Sequence, residues 1–70
     1  MRIYLDNTEI LESTLEVEGV YRDDYPKFCD AFFSYAETTS GRMLDNDELD
    51  TLTNDYPELV NSMAYETLIN

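Results

Sequence analysis

Apolar and polar positions alternate along the first twenty residues, which is the spacing of β-strands. Arg2-Ile3-Tyr4-Leu5 is short and rich in strand formers, and Asp6-Asn7-Thr8 carries turn chemistry, because Asn and Asp tolerate left-handed backbone. From Leu11 onward, Leu11, Ser13, Leu15 and Val17 interleave with Glu12, Thr14, Glu16 and Glu18. On a strand, that alternation collects the carboxylates of Glu12, Glu16 and Glu18 on one face. A helix over residues 8–14, capped by Thr8, competes for the start of this stretch, and Gly19 ends the strand pattern in either case.

The period then changes. Tyr25, Phe28, Cys29, Phe32 and Ala36 fall within one arc of about 100° at helical spacing, with Phe33 on its border and Asp30, Ser34 and Glu37 opposite, so residues 25–38 read as an amphipathic helix. Pro26 fits the first helical position and Tyr25 the cap, Asp23 and Asp24 complement the positive end of the helix dipole, and Thr39-Ser40-Gly41 closes the element. A short helix over 46–53 is entered by Asp45, with Glu48 at capping-box spacing. Leu44, Leu49 and Leu52 form its apolar side, and Asp45, Asp47, Glu48 and Asp50 form an acidic ridge. Asp55-Tyr56-Pro57 opens a last helix over 57–68 whose buried stripe is Tyr56, Leu59, Val60, Met63, Ala64 and Thr67.

The last helix repeats the first at an offset of 31 residues, Asp24-Tyr25-Pro26 aligning with Asp55-Tyr56-Pro57, Phe28 with Leu59 and Phe32 with Met63. The pair reads as a duplicated helical unit or as one helix-start signal used twice. Both readings pack the two helices together over one face of the strands, with Phe28, Phe32, Leu59, Val60 and Met63 in the core. The expected fold is a single α+β domain over residues 1–70: a short antiparallel hairpin or small sheet at the N-terminus packed by three helices, at about 25–38, 46–53 and 57–68.

Charge changes this picture from fold to function. Sixteen Asp and Glu against four Lys and Arg, with no His, leave a formal net charge of −12. A surface of that sign excludes nucleic acid as a direct ligand, because gripping the phosphate backbone requires clustered cations, and Arg2, Arg22, Lys27 and Arg42 are scattered. It attracts proteins whose working surface is a basic groove built for DNA. The charge also exceeds the magnitude of about 2 to 8 that solubility asks of a small domain. With 43% apolar and 13% aromatic residues the chain is not a disordered acidic tail.

Other chemistry is sparse. A lone cysteine, Cys29, sits among the expected core positions and reads as a small hydrophobe in a reducing, cytoplasmic setting. Without His there is no metal set. The run Asp45-Asn46-Asp47-Glu48-Leu49-Asp50 resembles a calcium loop only loosely, with Leu49 where a ligand belongs and no Gly at the sixth position. No cofactor, no metal and no enzyme activity are expected. The chain shows neither a charged-then-apolar leader nor an apolar run near twenty residues, so export and membrane insertion are not expected.

One short segment resembles a known family. Glu12-Ser13-Thr14-Leu15 is similar to the Glu-Ser-Ile-Leu segment of the phage uracil-DNA glycosylase inhibitors, small acidic DNA mimics, with Thr14 in place of the family's Ile. The resemblance covers four residues of a chain that is shorter and richer in expected helix than that family. It implies that Glu12 and Ser13 stand in for phosphates against the enzyme's DNA-binding loops, that Glu16 and Glu18 resemble the carboxylates following the family motif, and that the protein is a phage product acting in a bacterial cytoplasm. The expected function is therefore a DNA-mimic inhibitor occupying the basic cleft of a host DNA-processing enzyme, best uracil-DNA glycosylase, as a monomer or weak homodimer. Its expected partner-binding residues are Glu12, Ser13, Thr14, Leu15, Glu16, Glu18, Asp45, Asp47, Glu48 and Asp50. An anti-restriction or anti-CRISPR DNA mimic, and an acidic adaptor that binds through the aromatic helix face, are the alternatives.

Crowded carboxylates repel when ionised, so moderate salt and mild acidification toward about pH 5 should each raise the melting temperature. Thermal melts followed by circular dichroism test this. A lower melting temperature under both conditions would mean that the acids are mostly paired.

Overall fold

Asp6 and Asn7 both adopt positive φ, 48° and 68°, the conformation of a two-residue hairpin turn whose twist matches its flanking strands. The turn joins β1 (Ile3–Leu5) to β2 (Thr8–Ile10), with Ile3 opposite Ile10 and Leu5 opposite Thr8. The computed structural model of the protein describes residues 2–25 and 27–69, the last by its backbone alone. Its other elements are β3 (Glu16–Glu18), β4 (Phe32–Tyr35), α1 (Asn46–Asp55) and α2 (Pro57–Ile69), with single 3-10 turns at Glu12–Thr14 and Arg22–Asp24. The chain is thus α+β, with two antiparallel two-stranded sheets, β1-β2 and β3-β4, and two α-helices among the described residues.

The expected helix over 25–38 is replaced by a loop and a strand. Val17 lies opposite Phe33 and Glu18 opposite Phe32, so burial alternates: Ala31 and Phe33 point inward while Phe32 is 42% exposed and Phe33 only 1%. A bulge at Ser34, where the register shifts between Glu16 and Val17, moves the inward phase from odd to even positions, and Ala36 and Thr38 are buried beyond it. Helical spacing through Tyr25, Phe28, Phe32 and Ala36 was therefore coincidental. A three-residue β3 needs a strand partner for its backbone groups, and the aromatic, β-prone Phe32-Phe33-Ser34-Tyr35 supplies it. Pro26 lies outside the described residues. Cys29 is exposed on the loop, not in a core, and Asp23 and Asp24 belong to a 3-10 turn with no helix behind them. The 31-residue correspondence is not structural, since Asp55-Tyr56-Pro57 starts a helix and Asp24-Tyr25 does not.

Segment 36–39 ties the two sheets together. Leu11 N–H donates to Glu37 O at 2.9 Å and Thr39 N–H to Glu9 O at 3.1 Å, bridging to β2, while Leu44 N–H donates to Ala36 O at 3.0 Å. Thr39-Ser40-Gly41 closes a tight turn here, with Gly41 at φ 90° and Thr38 N–H bonded to Arg42 O. Thr38, buried at 1%, is satisfied by Ser40 Oγ and by Arg42 N–H. Gly19, at φ 74°, is the other obligatory glycine, because a Cβ there would collide with the Asp30 carbonyl.

The helices pack on this frame. At the end of α1, Tyr56 precedes Pro57 and leaves the helical region, which separates the two helices. The Tyr56 hydroxyl accepts from Tyr4 N–H at 3.0 Å and donates to Tyr4 O at 3.4 Å, capping the outer edge of β1. Leu44, Leu49, Leu52, Val60 and Ala64 are buried as expected. Leu59 and Met63 are half-buried, and Thr67 is exposed, donating to Met63 O. Of the expected core, Phe28 is buried, its N–H bonded to Asn61 Oδ1 at 2.8 Å, and Phe32 is not. No helix among the described residues is long and apolar enough to cross a membrane.

Phe33→Ala should cost about 3 to 5 kcal/mol, most of the stability of a domain this small. Phe32→Ala should cost distinctly less, about 1 to 2 kcal/mol, since its ring is 42% exposed. Urea denaturation measures both. Equal losses would restore an inward Phe32 and overturn the strand.

Candidate functional site

The ten residues singled out from the sequence divide into those that hold the fold and those that face outward. Thr14 and Leu15 belong to the fold. The Thr14 hydroxyl donates to Leu11 O at 2.6 Å and accepts from Glu37 N–H at 3.0 Å, and Leu15 is buried in the core. The Glu12-Ser13-Thr14 segment is a 3-10 turn, not part of the strand that the alternation from Leu11 predicted, because Thr14 turns inward to bond Leu11 and Glu37. Glu12 and Ser13 are exposed on that turn. The expected strand face of three carboxylates reduces to Glu16 and Glu18, which flank half-buried Val17 on β3.

On α1 the capping box forms as the spacing predicts. Asp45 Oδ1 accepts from Glu48 N–H at 2.8 Å, and Glu48 Oε1 accepts from Asp45 N–H at 3.0 Å. Arg42 adds a bidentate pair to the same carboxylate, Nη1 to Oε1 at 2.8 Å and Nη2 to Oε2 at 2.9 Å. The Arg42 guanidinium, followed by the Asp45 N–H, holds the Glu48 carboxyl far below its ordinary range, at about 2. Asp45 and Glu48 are thus spent on the helix start, and Asp47 and Asp50 are left as the outward acids of the ridge.

A groove of about 420 Å³ between β4 and α1 is where the two acidic elements meet. Glu18, Phe32 and Ser34 line it from the sheet and Asn46 and Asp50 from α1, together with Phe33 and Leu49, both buried. Three constraints build it. The register sets Glu18 directly opposite Phe32, so both side chains stand on the outer face. Helical spacing puts Asn46 and Asp50 one turn apart on one side of α1. Finally, Phe33 N–H donates to Thr53 Oγ1 at 3.0 Å while Thr53 Oγ1 donates to Leu49 O at 2.9 Å, which docks α1 along β4. Phe32, Ser34 and Asn46 were missed as site residues. The adjacent Phe32-Phe33 was the available signal, since in a strand one of two neighbours must point out.

Elsewhere, two groups beside carboxylates are shifted upward, Asp24 chiefly by burial and Tyr35 chiefly by a hydrogen bond. Burial of Asp24 Oδ2, which has no hydrogen-bond partner, and the nearby carboxylates of Asp30 and Asp23 push the Asp24 carboxyl up. The Tyr35 hydroxyl donates to the Glu37 carboxylate, which raises the phenol. Tyr25 and Tyr65, both exposed, meet at 5.7 Å between ring centroids, and Tyr25 stands edge-on to Phe28. Among the described residues no group of three or more His, Cys, Asp or Glu is placed to hold a metal ion. No family model matches the chain, and neither a curated protein nor a solved structure matches it.

The Glu48 arrangement makes a signed prediction. Its folded carboxyl titrates at about 2, below an unfolded value of about 4.3, so its stabilisation is fully present above the unfolded value and is lost as pH falls through the folded one. Glu48→Gln should lower the melting temperature at pH 7, and the gap to the wild type should narrow progressively from about pH 4.5 toward pH 2. Melts across that range check it. A gap that does not change with pH would mean that the Arg42 and Asp45 bonds act no more strongly on the ionised form.

Proposed function

We propose that the protein is a decoy for nucleic acid, binding the basic, phosphate-reading surface of a DNA-processing enzyme and blocking it stoichiometrically. The observation that carries this reading is that Glu18 on β3 and Asp50 on α1, residues far apart in sequence, line one groove. Glu16 on the neighbouring strand position and Asp47 on the ridge extend the outward acids. The nearest cation of the ridge, Arg42, is held by Glu48. Backbone held in a strand and a helix places these carboxylates more closely than a disordered acidic segment would, so less freedom is lost on binding. Exposed Phe32 between them supplies apolar contact that charge alone does not.

Uracil-DNA glycosylase is the first target to assay, on the resemblance of Glu12-Ser13-Thr14-Leu15, with restriction and CRISPR nucleases next. A second reading rests on the exposed Tyr25 and Tyr65 stack: an adaptor that uses this aromatic surface, acidic for solubility. Salt separates the two, because screening weakens a charge-led contact and leaves an apolar one nearly unchanged.

Purified protein should displace fluorescent duplex DNA from a bacterial uracil-DNA glycosylase, and stop uracil excision, at near one-to-one ratio. Neutralising Glu16, Glu18, Asp47 and Asp50 together should weaken inhibition at least tenfold, about 1.4 kcal/mol, while single rim changes such as Asp47→Asn should cost under about 1 kcal/mol. Loss confined to Glu12→Gln with Ser13→Ala would move the contact to the turn before β3. Full activity of the glycosylase and of the nucleases in excess protein would end the decoy reading.

A further inference from the structure

We propose that the groove between β4 and α1 is a receptor for an arginine side chain presented by the protein partner. This rests on the reading above that the partner is a basic protein, and it names the contact. The chemistry of the walls selects the occupant. An anion is repelled by Glu18 and Asp50, and a purely apolar group would leave both carboxylates desolvated without a partner. A metal ion would find only these two carboxylates, and no set of three ligands exists among the described residues.

A guanidinium satisfies every wall at once. Its plane stacks on the face of an aromatic ring, and Phe32 offers a ring that is 42% exposed on the solvent side of β4. Its five N–H donors fan out in the plane, and the groove offers them two carboxylates, one from β3 and one from α1. The Asn46 side-chain carbonyl and the Ser34 hydroxyl add neutral acceptors, with Ser34 anchored at the bulge by a 3.3 Å bond from its Oγ to Glu16 O. Phe33 and Leu49 are buried, so the apolar surface open to the aliphatic part of the arginine is chiefly that of Phe32. Lysine meets fewer of these demands, since its ammonium is a compact, strongly hydrated charge without a stacking plane. The volume of about 420 Å³ falls within the range of about 300 to 1,000 Å³ of small-ligand clefts.

Titration of the ¹⁵N-labelled full chain with N-acetyl-arginine methylamide, and separately with its lysine counterpart at equal ionic strength, tests the assignment by NMR. Saturable amide shifts should concentrate at Glu18, Phe32, Ser34, Asn46 and Asp50, with tighter binding for arginine. Phe32→Leu, a change at an exposed position that leaves the fold intact, should weaken the arginine probe about fivefold. Glu18→Gln and Asp50→Asn should each weaken it as well, and Glu66→Gln on α2 should not. Shifts spread evenly over all acidic residues, equal affinity for the lysine probe, or an unaffected Phe32→Leu variant would overturn the proposal. Its failure is separable from that of the decoy reading. A protein that displaces DNA from an enzyme but ignores the arginine probe loses only the groove, and one that binds arginine there but displaces nothing keeps the groove and loses the decoy.

Discussion

The backbone of residues 32–39 pairs first with β3 and α1 and then with β2 and the neighbouring 43–44 segment, and the rest of the molecule hangs on that double pairing. Its first half pairs with β3 and bonds through Phe33 N–H to Thr53 of α1. Its second half meets β2 at Thr38 and the 43–44 segment at Glu37 and Ala36. The Ser34 bulge between the halves lets one continuous chain serve both, because it resets which side chains face inward. Phe33 and Thr38, each 1% exposed, sit on opposite sides of that reset. Removing either pairing would leave buried backbone groups unsatisfied and detach a hairpin from the helices.

The same pairing decides where charge is displayed. With β4 in register, Glu18 stands beside Phe32 on the outer face and α1 is drawn against the strand, so acids from two elements share a groove. In a helix over 25–38 Phe32 would have been a core residue and the groove would not exist. A net charge of −12 destabilises a 70-residue domain by self-repulsion, and at Asp24, where one carboxyl oxygen is cut off from water beside Asp30 and Asp23, burial and that repulsion push the carboxyl up. The Arg42 and Asp45 bonds to Glu48 relieve the repulsion at one point, and they do so at the start of the helix that carries the ridge.

What the sequence made legible was local. Asp6-Asn7 needs only its own backbone to turn, the Asp45 and Glu48 box needs only one helical turn, and Tyr56-Pro57 separates two helices by steric exclusion within two residues. Strand β4 depends on partners 14 to 19 residues upstream and on α1 downstream, and its bulge breaks the alternation that would have announced it. Helical spacing filled the gap by accident. The candidate site shared that fate: Glu18 and Asp50 were identifiable as outward acids, but Phe32 was assigned to the core, and nothing local shows that β3 and α1 flank the same strand and line one groove. The alternation from Leu11 pointed to a strand through Glu12-Ser13-Thr14, whereas Thr14 uses its hydroxyl to close a 3-10 turn.

The most direct test of this account is the pattern of nuclear Overhauser effects and backbone couplings over residues 25–39. The account predicts cross-strand contacts between Val17 and Phe33, Glu18 and Phe32, and Ile10 and Thr38, with extended couplings on both sides of Ser34. Consecutive amide-to-amide contacts and small couplings running through 27–38 would describe a helix, return Phe32 to the interior, and contradict both the fold and the groove.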